Sequence, residues 1–189
     1  MQIYNPEVTS MSKLTVGSKF PNEAVLTIKG EKNIADMISK EGKTAIVFLR
    51  YYGCSLSQYD VRLYAGAYES IVASGNELVV VLQSTPESIE RQCPIKVPYD
   101  IICDPDAKLY NELDIEAVAD INDAKGEMTI NKINYLRSTT DIVHGDYEGI
   151  EEQLPAYFVV DADLNVLLAH YSEELGDVPS PDCFEKLFA

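Results

Sequence analysis

The sequence predicts an α/β chain with a mixed central sheet and helices on both faces. Three observations carry this. Near-continuous apolar runs at Thr44–Arg50 and Leu78–Leu82 suit strands buried on both sides. After each run come segments whose apolar residues recur at helical spacing. A strand–turn–strand pattern then lies late in the chain, at Tyr157–Val160 and Val166–His170. Alternating strands and helices followed by a late hairpin give a sheet that mixes parallel and antiparallel pairs.

The elements follow in order. Ala24–Ile28 reads as a short strand turned by Lys29 and Gly30, and Asn33 is placed to cap a short helix to about Lys40. Thr44–Arg50 is a central strand that Gly53 breaks. From Cys54 onward Leu56, Leu63, Ala67 and Ile71 mark one helix face, until Ser74 and Gly75 stop it. Leu78–Leu82 is the next buried strand. Pro86–Arg91 begins a helix with Thr85 as its cap and Pro86 at the first helical position. Asp100–Cys103 is a strand, and Asp104 and Pro105 open a helix through Leu109 and Leu113. Glu116–Glu152 mixes charges and glycines around a helix near Thr129–Leu136. Asp161–Asn165 is the polar turn of the late hairpin, and Pro181–Phe188 is a terminal helix.

Composition bounds the function. A chain of 189 residues is expected to form one domain, 1–189, and its 46% apolar residues can build a core without staples. Lys and Arg number 15 against 31 Asp and Glu, a net charge of −16. Such a surface repels phosphate backbones and anionic lipid, so neither nucleic acid nor membrane is an expected partner. No apolar run approaches the roughly 20 residues of a membrane span. Met1–Lys19 lacks a basic segment followed by an apolar one, so no signal peptide is expected. Four scattered cysteines, Cys54, Cys93, Cys103 and Cys183, fit neither a disulfide framework nor a zinc site, and imply reduced thiols in the cytoplasm. His144 and His170 are the only histidines, too few for a histidine-rich metal site. His144 reads first as a solvated loop residue and His170 as packed at a strand end. No Walker-type or G-x-G-x-x-G loop occurs. No cofactor is expected.

The chemistry gathers in Val47–Asp60, VFLRYYGCSLSQYD. A buried strand ends, a glycine turns the chain and a cysteine opens an amphipathic helix. The free N–H groups and partial positive charge of a helix N-terminus favour a thiolate, and Arg50 is four residues away. Position alone leaves Cys54 open between a reactive thiol and a small buried hydrophobe. Ser57, one turn on, is placed to donate a hydrogen bond to the sulfur. Tyr51, Tyr52 and Ser55 are candidates for lining a substrate site. Tyr51, Tyr52, Tyr59, Tyr64 and Tyr68 crowd this region, as an aromatic wall or as packing at a core edge. The carboxylates read as a solvated surface. Leu154-Pro155 precedes a strand, where proline is either an ordinary strand-opening residue or a cis device.

Together these residues resemble the peroxiredoxin-like group of the thioredoxin-like superfamily, related to alkyl hydroperoxide reductases and thiol-specific antioxidants. VGSKFPN at Val16–Asn22 is similar to the family's entry segment, and VFLRYYGC to the strand leading to its redox cysteine. ESIERQ with VPYDIICDPDAKLYNEL is similar to the middle of such a domain. QLPAYFVVDADLNVLLAHYS is similar to the segment holding the family's cis-proline and final hairpin. The resemblance implies a thioredoxin-like fold. It places Cys54 as the reactive cysteine and Pro155 as the cis-proline, with 116–153 as an insertion or covering segment before that strand.

The departures are as informative. In the family's P-x-x-x-[ST]-x-x-C signature Val47 stands at the proline and Tyr51 at the hydroxyl, and no arginine follows Arg137 to match the family's late arginine. Arg50 is the substitute nearest in sequence. The thioredoxin motif C-x-x-C becomes C-S-L-S, so Ser57 replaces the second thiol. Cys93 and Cys183 are candidate resolving residues, and Cys103 reads as buried and structural.

Three readings result. The first is a thiol-dependent oxidoreductase with antioxidant activity: Cys54 attacks a peroxide and an external thiol re-reduces it, with Arg50, Ser57 and Pro155 completing the site. The second is a C-x-x-S protein exchanging with disulfide substrates. The third is a degenerate redoxin acting as a binding module. A homodimer is a candidate assembly.

Overall fold

The computed structural model describes residues 12–189. The start of the N-terminal stretch read above for a signal segment, residues 1–11, lies outside the described residues. Among them, seven strands form one sheet in the order β2-β1-β5-β4-β3-β6-β7. These are β1 (Ala24–Thr27), β2 (Gly30–Asn33), β3 (Thr44–Phe48), β4 (Glu77–Leu82), β5 (Asp100–Cys103), β6 (Ala156–Val160) and β7 (Val166–Tyr171). The pairs β3–β4 and β4–β5 are parallel, and all others are antiparallel. This is the expected mixed sheet.

Helices α1 (Ser55–Ala73), α2 (Pro86–Gln92), α3 (Lys108–Glu112), α4 (Glu127–Thr139) and α5 (Phe184–Leu187) surround it. The central strands alternate their side chains between two cores. Ile46, Phe48, Val79 and Val81 face Leu109, Tyr110 and Leu113 of the α3 region. Ala45, Val47, Leu78 and Val80 face Val61, Tyr64 and Ile71 of α1, with Ile89 of α2 and Phe184 of α5. Period-two alternation with apolar residues on both faces explains why these strands read as unbroken apolar runs.

Most element readings hold. Thr85 Oγ1 accepts from Ser88 N at 3.2 Å as the α2 cap, and the Asp104 carboxylate accepts from Lys108 N and Leu109 N at the start of α3. The helix expected from Asn33 to Lys40 is corrected to a single 3-10 turn, Ile34–Asp36. Asn33 does not cap it, because Asn33 pairs with Ala24 as the last residue of the β1–β2 hairpin. That hairpin turns through Gly30, whose φ of 102° a side chain would oppose.

Candidate active site

β3 ends at Phe48, and the next residues stay tied to the sheet: Leu49 N donates to Val81 O at 3.0 Å and Gln83 N to Arg50 O at 3.1 Å. The chain then turns through Tyr51–Gly53, with Cys54 N bonded to Tyr51 O at 3.2 Å. Cys54 is the N-cap of α1, and its carbonyl accepts from Gln58 N at 2.9 Å. Its side chain makes no capping bond. The helix therefore acts on the sulfur through its field rather than through a direct N–H bond.

The direct donor is Arg50. Its Nη1 stands 3.4 Å from Cys54 Sγ, and its Nη2 donates to Glu151 Oε2 at 2.9 Å. Arg50 is only 6% exposed, and its Nε has no partner among the described residues. The guanidinium also lies 5.3 Å from the centre of the Tyr51 ring. Tyr51 Oη closes the network with a bond to Glu151 Oε1 and a 3.0 Å contact to His144 Nε2. His144 stacks on Tyr147 at 4.1 Å. One chain of contacts thus joins an exposed imidazole to a buried sulfur.

The residues that reach this network lie in 143–151, which pass across the cysteine. Gly145 N donates to Gly53 O at 2.7 Å, and Gln58 Nε2 holds both Gly53 O and Val143 O. A Cβ on Gly53 would overlap the Asp146 carbonyl oxygen, so this close approach requires glycine there. Beneath it, Cys54 packs with Tyr51, Leu56, Leu136 of α4 and Leu154, and is 3% exposed.

The other predicted site residues divide. Ser57 is buried one turn along α1 but makes no hydrogen bond to Cys54, so its expected role as donor is corrected: the sulfur faces Arg50 instead. Ser55 is half-buried at the first position of α1. Tyr51 joins the cysteine, whereas Tyr52 points to the other side and packs in the α1–α2 core. Tyr52 is therefore corrected as a lining residue. Successive residues of the extended turn project oppositely, and only one faces Cys54.

Pro155 is also corrected. The described residues contain no cis peptide bond. Leu154 N donates to Glu116 O at 3.1 Å, while Pro155 O accepts from Ser172 N at 3.1 Å. Its predecessor Leu154 shares a buried apolar cluster with Cys54.

All four cysteines are free thiols. Cys103 is buried, and desolvation pushes its thiol up to about 12, as its structural reading requires. Cys93 packs at the edge of the α1–α2 core, while Cys54 belongs to the separate cluster beside α4. Cys183 is exposed beside Ser180. His170 stacks on Tyr157 at 4.5 Å, as a packed strand-end histidine.

Glu151 is the site residue that sequence reasoning missed. It sits in the acidic run EGIEE, which reads as solvated surface, and nothing in its spacing links it to Arg50. Asp60 is a second exception to that reading. It is 4% exposed and held by Lys132 of α4 at 2.6 Å.

Comparison with known proteins agrees with this architecture. The peroxiredoxin-like protein of Aquifex aeolicus superposes with a TM-score of 0.62 at 16% identity, over 93% of this chain and 86% of that one. A cysteine-to-serine mutant of peroxiredoxin 6 of Arenicola marina gives 0.63 at 14% identity, over 93% and 70%. A putative thiol:disulfide interchange protein DsbE of Chlorobium tepidum gives 0.58 at 14% identity, over 92% and 95%. At these identities the likeness is one of fold, thioredoxin-like in each case. No curated protein matches the sequence. No helix among the described residues is long and apolar enough to cross a membrane. Residues 62–174 match the AhpC/TSA antioxidant enzyme family, a stretch that begins after Cys54 and spans β4 to β7, and by this match the chain belongs to that family.

Proposed function

We propose that the protein is a thiol-dependent peroxidase whose nucleophile is Cys54. The observation that carries this is the 3.4 Å contact between Arg50 Nη1 and Cys54 Sγ at the N-terminus of a 19-residue helix. A guanidinium and a helix N-terminus both favour a sulfur that has lost its proton. The thiolate attacks one oxygen of a hydroperoxide, the O–O bond breaks, and the leaving alkoxide or hydroxide takes a proton. Sulfur is oxidised to a sulfenic acid and the peroxide is reduced to alcohol or water. An external thiol then condenses with the sulfenic acid, releasing water, and a second thiol frees Cys54 as its partner becomes a disulfide.

Burial of Cys54 under 143–151 favours a small oxidant over a bulky disulfide. Within this reading, 116–153 acts as the covering segment of a single domain, and Tyr51, held by Glu151, replaces the usual signature hydroxyl in position but not in role. Four free thiols favour a reducing compartment such as the cytoplasm. The competing exchange reading rests on the C-S-L-S spacing from Cys54 to Ser57, in which a serine replaces the second thiol. Reduced protein treated with hydrogen peroxide and a dimedone-type probe separates them. The peroxidase reading expects the label on Cys54, and exchange alone expects none.

A further inference from the structure

Among the described residues no main-chain hydrogen bond joins two members of 143–151, the stretch that crosses Cys54. Its larger apolar side chains, Val143, Tyr147 and Ile150, are exposed. Neither secondary structure nor apolar burial therefore holds it down. Amide side chains from the body of the protein do. Gln83, directly after β4 and 1% exposed, accepts from Ile150 N at 2.8 Å and donates to Gln153 Oε1 at 3.0 Å. Gln92, the last residue of α2, accepts from Asp146 N at 2.8 Å. Its Nε2 donates to Glu148 Oε1 at 2.8 Å and to Ser88 Oγ at 2.9 Å. Gln58 adds its bond to Val143 O.

The two surfaces are matched in shape. A Cβ on Gly145 would overlap Gln92 Oε1, and one on Gly149 would stand 2.7 Å from Gln83 Oε1. Glycine at both positions lets the amides reach the backbone. On either side the chain is anchored. Thr140 N donates to Leu136 O at the end of α4, and buried Gln153 donates to Ile115 O and Glu116 O. Between these anchors the stretch can lift only by breaking the amide bonds. Lifting deprives the buried Gln83 oxygen of its donor, so the closed position is favoured.

The geometry points to Gln83 and Gln92 as specificity-determining residues of the Cys54 site. By clamping the main chain of 143–151 they hold a lid that limits the sulfur to reactants about the size of hydrogen peroxide. Larger hydroperoxides and thiols reach Cys54 only as the lid opens. The natural reactants named here rest on the peroxidase reading, whereas the lid itself does not. Each amide bond to the lid weights the opening equilibrium by about twofold to tenfold.

The test compares iodoacetamide with the bulky, uncharged N-(1-pyrenyl)maleimide on the reduced full chain at neutral pH, each cysteine being followed by peptide mass mapping. Exposed Cys183 supplies the intrinsic ratio of the two reagents, and buried Cys103 reports general loosening. In the parent the bulky reagent should be disfavoured at Cys54 by at least about tenfold more than at Cys183. Gln92→Glu is nearly isosteric and sets a second carboxylate against Glu148. It should raise the pyrenylmaleimide rate at Cys54 about tenfold, raise the iodoacetamide rate less, and leave Cys103 and Cys183 unchanged. Gly145→Ala, which pushes on the same amide from the lid side, should act alike without touching α2. Equal reagent ratios at Cys54 and Cys183 in the parent, a Cys54 rate that neither variant raises, or Cys103 accelerating together with Cys54 would overturn the assignment. A second arm uses dimedone-type trapping with hydrogen peroxide and cumene hydroperoxide. The cumene-to-hydrogen-peroxide labelling ratio at Cys54 should rise about tenfold in Gln92→Glu. Equal labelling by both in the parent would sink the size limit, whereas gated alkylation with no sulfenic acid at Cys54 would sink the peroxidase reading and leave the lid standing.

Discussion

Replacing Arg50 by methionine removes the one side chain that touches the Cys54 sulfur with positive charge. The substitution keeps an apolar stem of similar reach where the guanidinium is 6% exposed, so packing is largely preserved. Two opposite unit charges 3.4 Å apart attract by about 5 kcal/mol at an effective dielectric of about 20. Glu151 already holds the other edge of the guanidinium, at 2.9 Å, and shares that attraction. The working value is that of one hydrogen bond to a charged group, about 1.5–3 kcal/mol. This corresponds to a fall of roughly tenfold to a hundredfold in reactivity near neutral pH. Iodoacetamide alkylation of Cys54 at neutral pH, followed by peptide mass mapping, measures it. Arg50→Lys should recover only part of the loss, since an ammonium cannot span sulfur and carboxylate as the fork does. If Arg50→Met leaves the neutral-pH rate unchanged while the protein remains folded, the guanidinium does not activate the sulfur and the reasoning fails.

Other expectations follow from the same geometry. Ser57→Ala should leave Cys54 alkylation within about twofold, because no hydrogen bond joins Ser57 to the sulfur; a larger drop would restore the role read from sequence. Gly53→Ala puts a Cβ against the Asp146 carbonyl, so hydrogen exchange at Gly145 N should accelerate and Cys54 alkylation should rise by at least about threefold. Lys132→Met strands the Asp60 carboxylate, 4% exposed, and should cost about 3–5 kcal/mol in chemical denaturation. Burial raises the Asp60 carboxyl above 3.8 and Lys132 only partly opposes this, so the folded state holds the proton more tightly than the unfolded one. That contribution is fully present below about 3.8 and is lost as pH rises through the raised folded value. Asp60→Asn should therefore gain on the parent as pH rises from about 4 to about 7; parallel stability curves would contradict the sign.

The parts of the molecule that sequence reveals are those with local causes. β3, the glycine turn and α1 are legible because an apolar run, a breaker and a helical stripe are adjacent. Thr85 is legible as a cap because capping is a device of a few neighbouring residues. Asn33 shows the limit of the same logic: a good capping residue is recruited into a hairpin by pairing with Ala24, which local propensity does not encode. Cys54 and Arg50 can be read together because four residues separate them. Glu151 reaches Arg50 from 101 residues away, and Lys132 reaches Asp60 from 72, through packing of the 116–153 segment that no spacing rule anticipates. Pro155 enters the site by resemblance alone, and the described residues contain no cis bond at that position.

The central claim concerns one sulfur. Reduced protein is mixed with hydrogen peroxide, and the rate of Cys54 sulfenic acid formation is followed by dimedone-type trapping and peptide mapping, with Cys54→Ser as the reference. The peroxidase account predicts label at Cys54 in preference to Cys93, Cys103 and Cys183, slowed by Arg50→Met. Peroxide consumption that persists in Cys54→Ser, or label that spares Cys54, would contradict it.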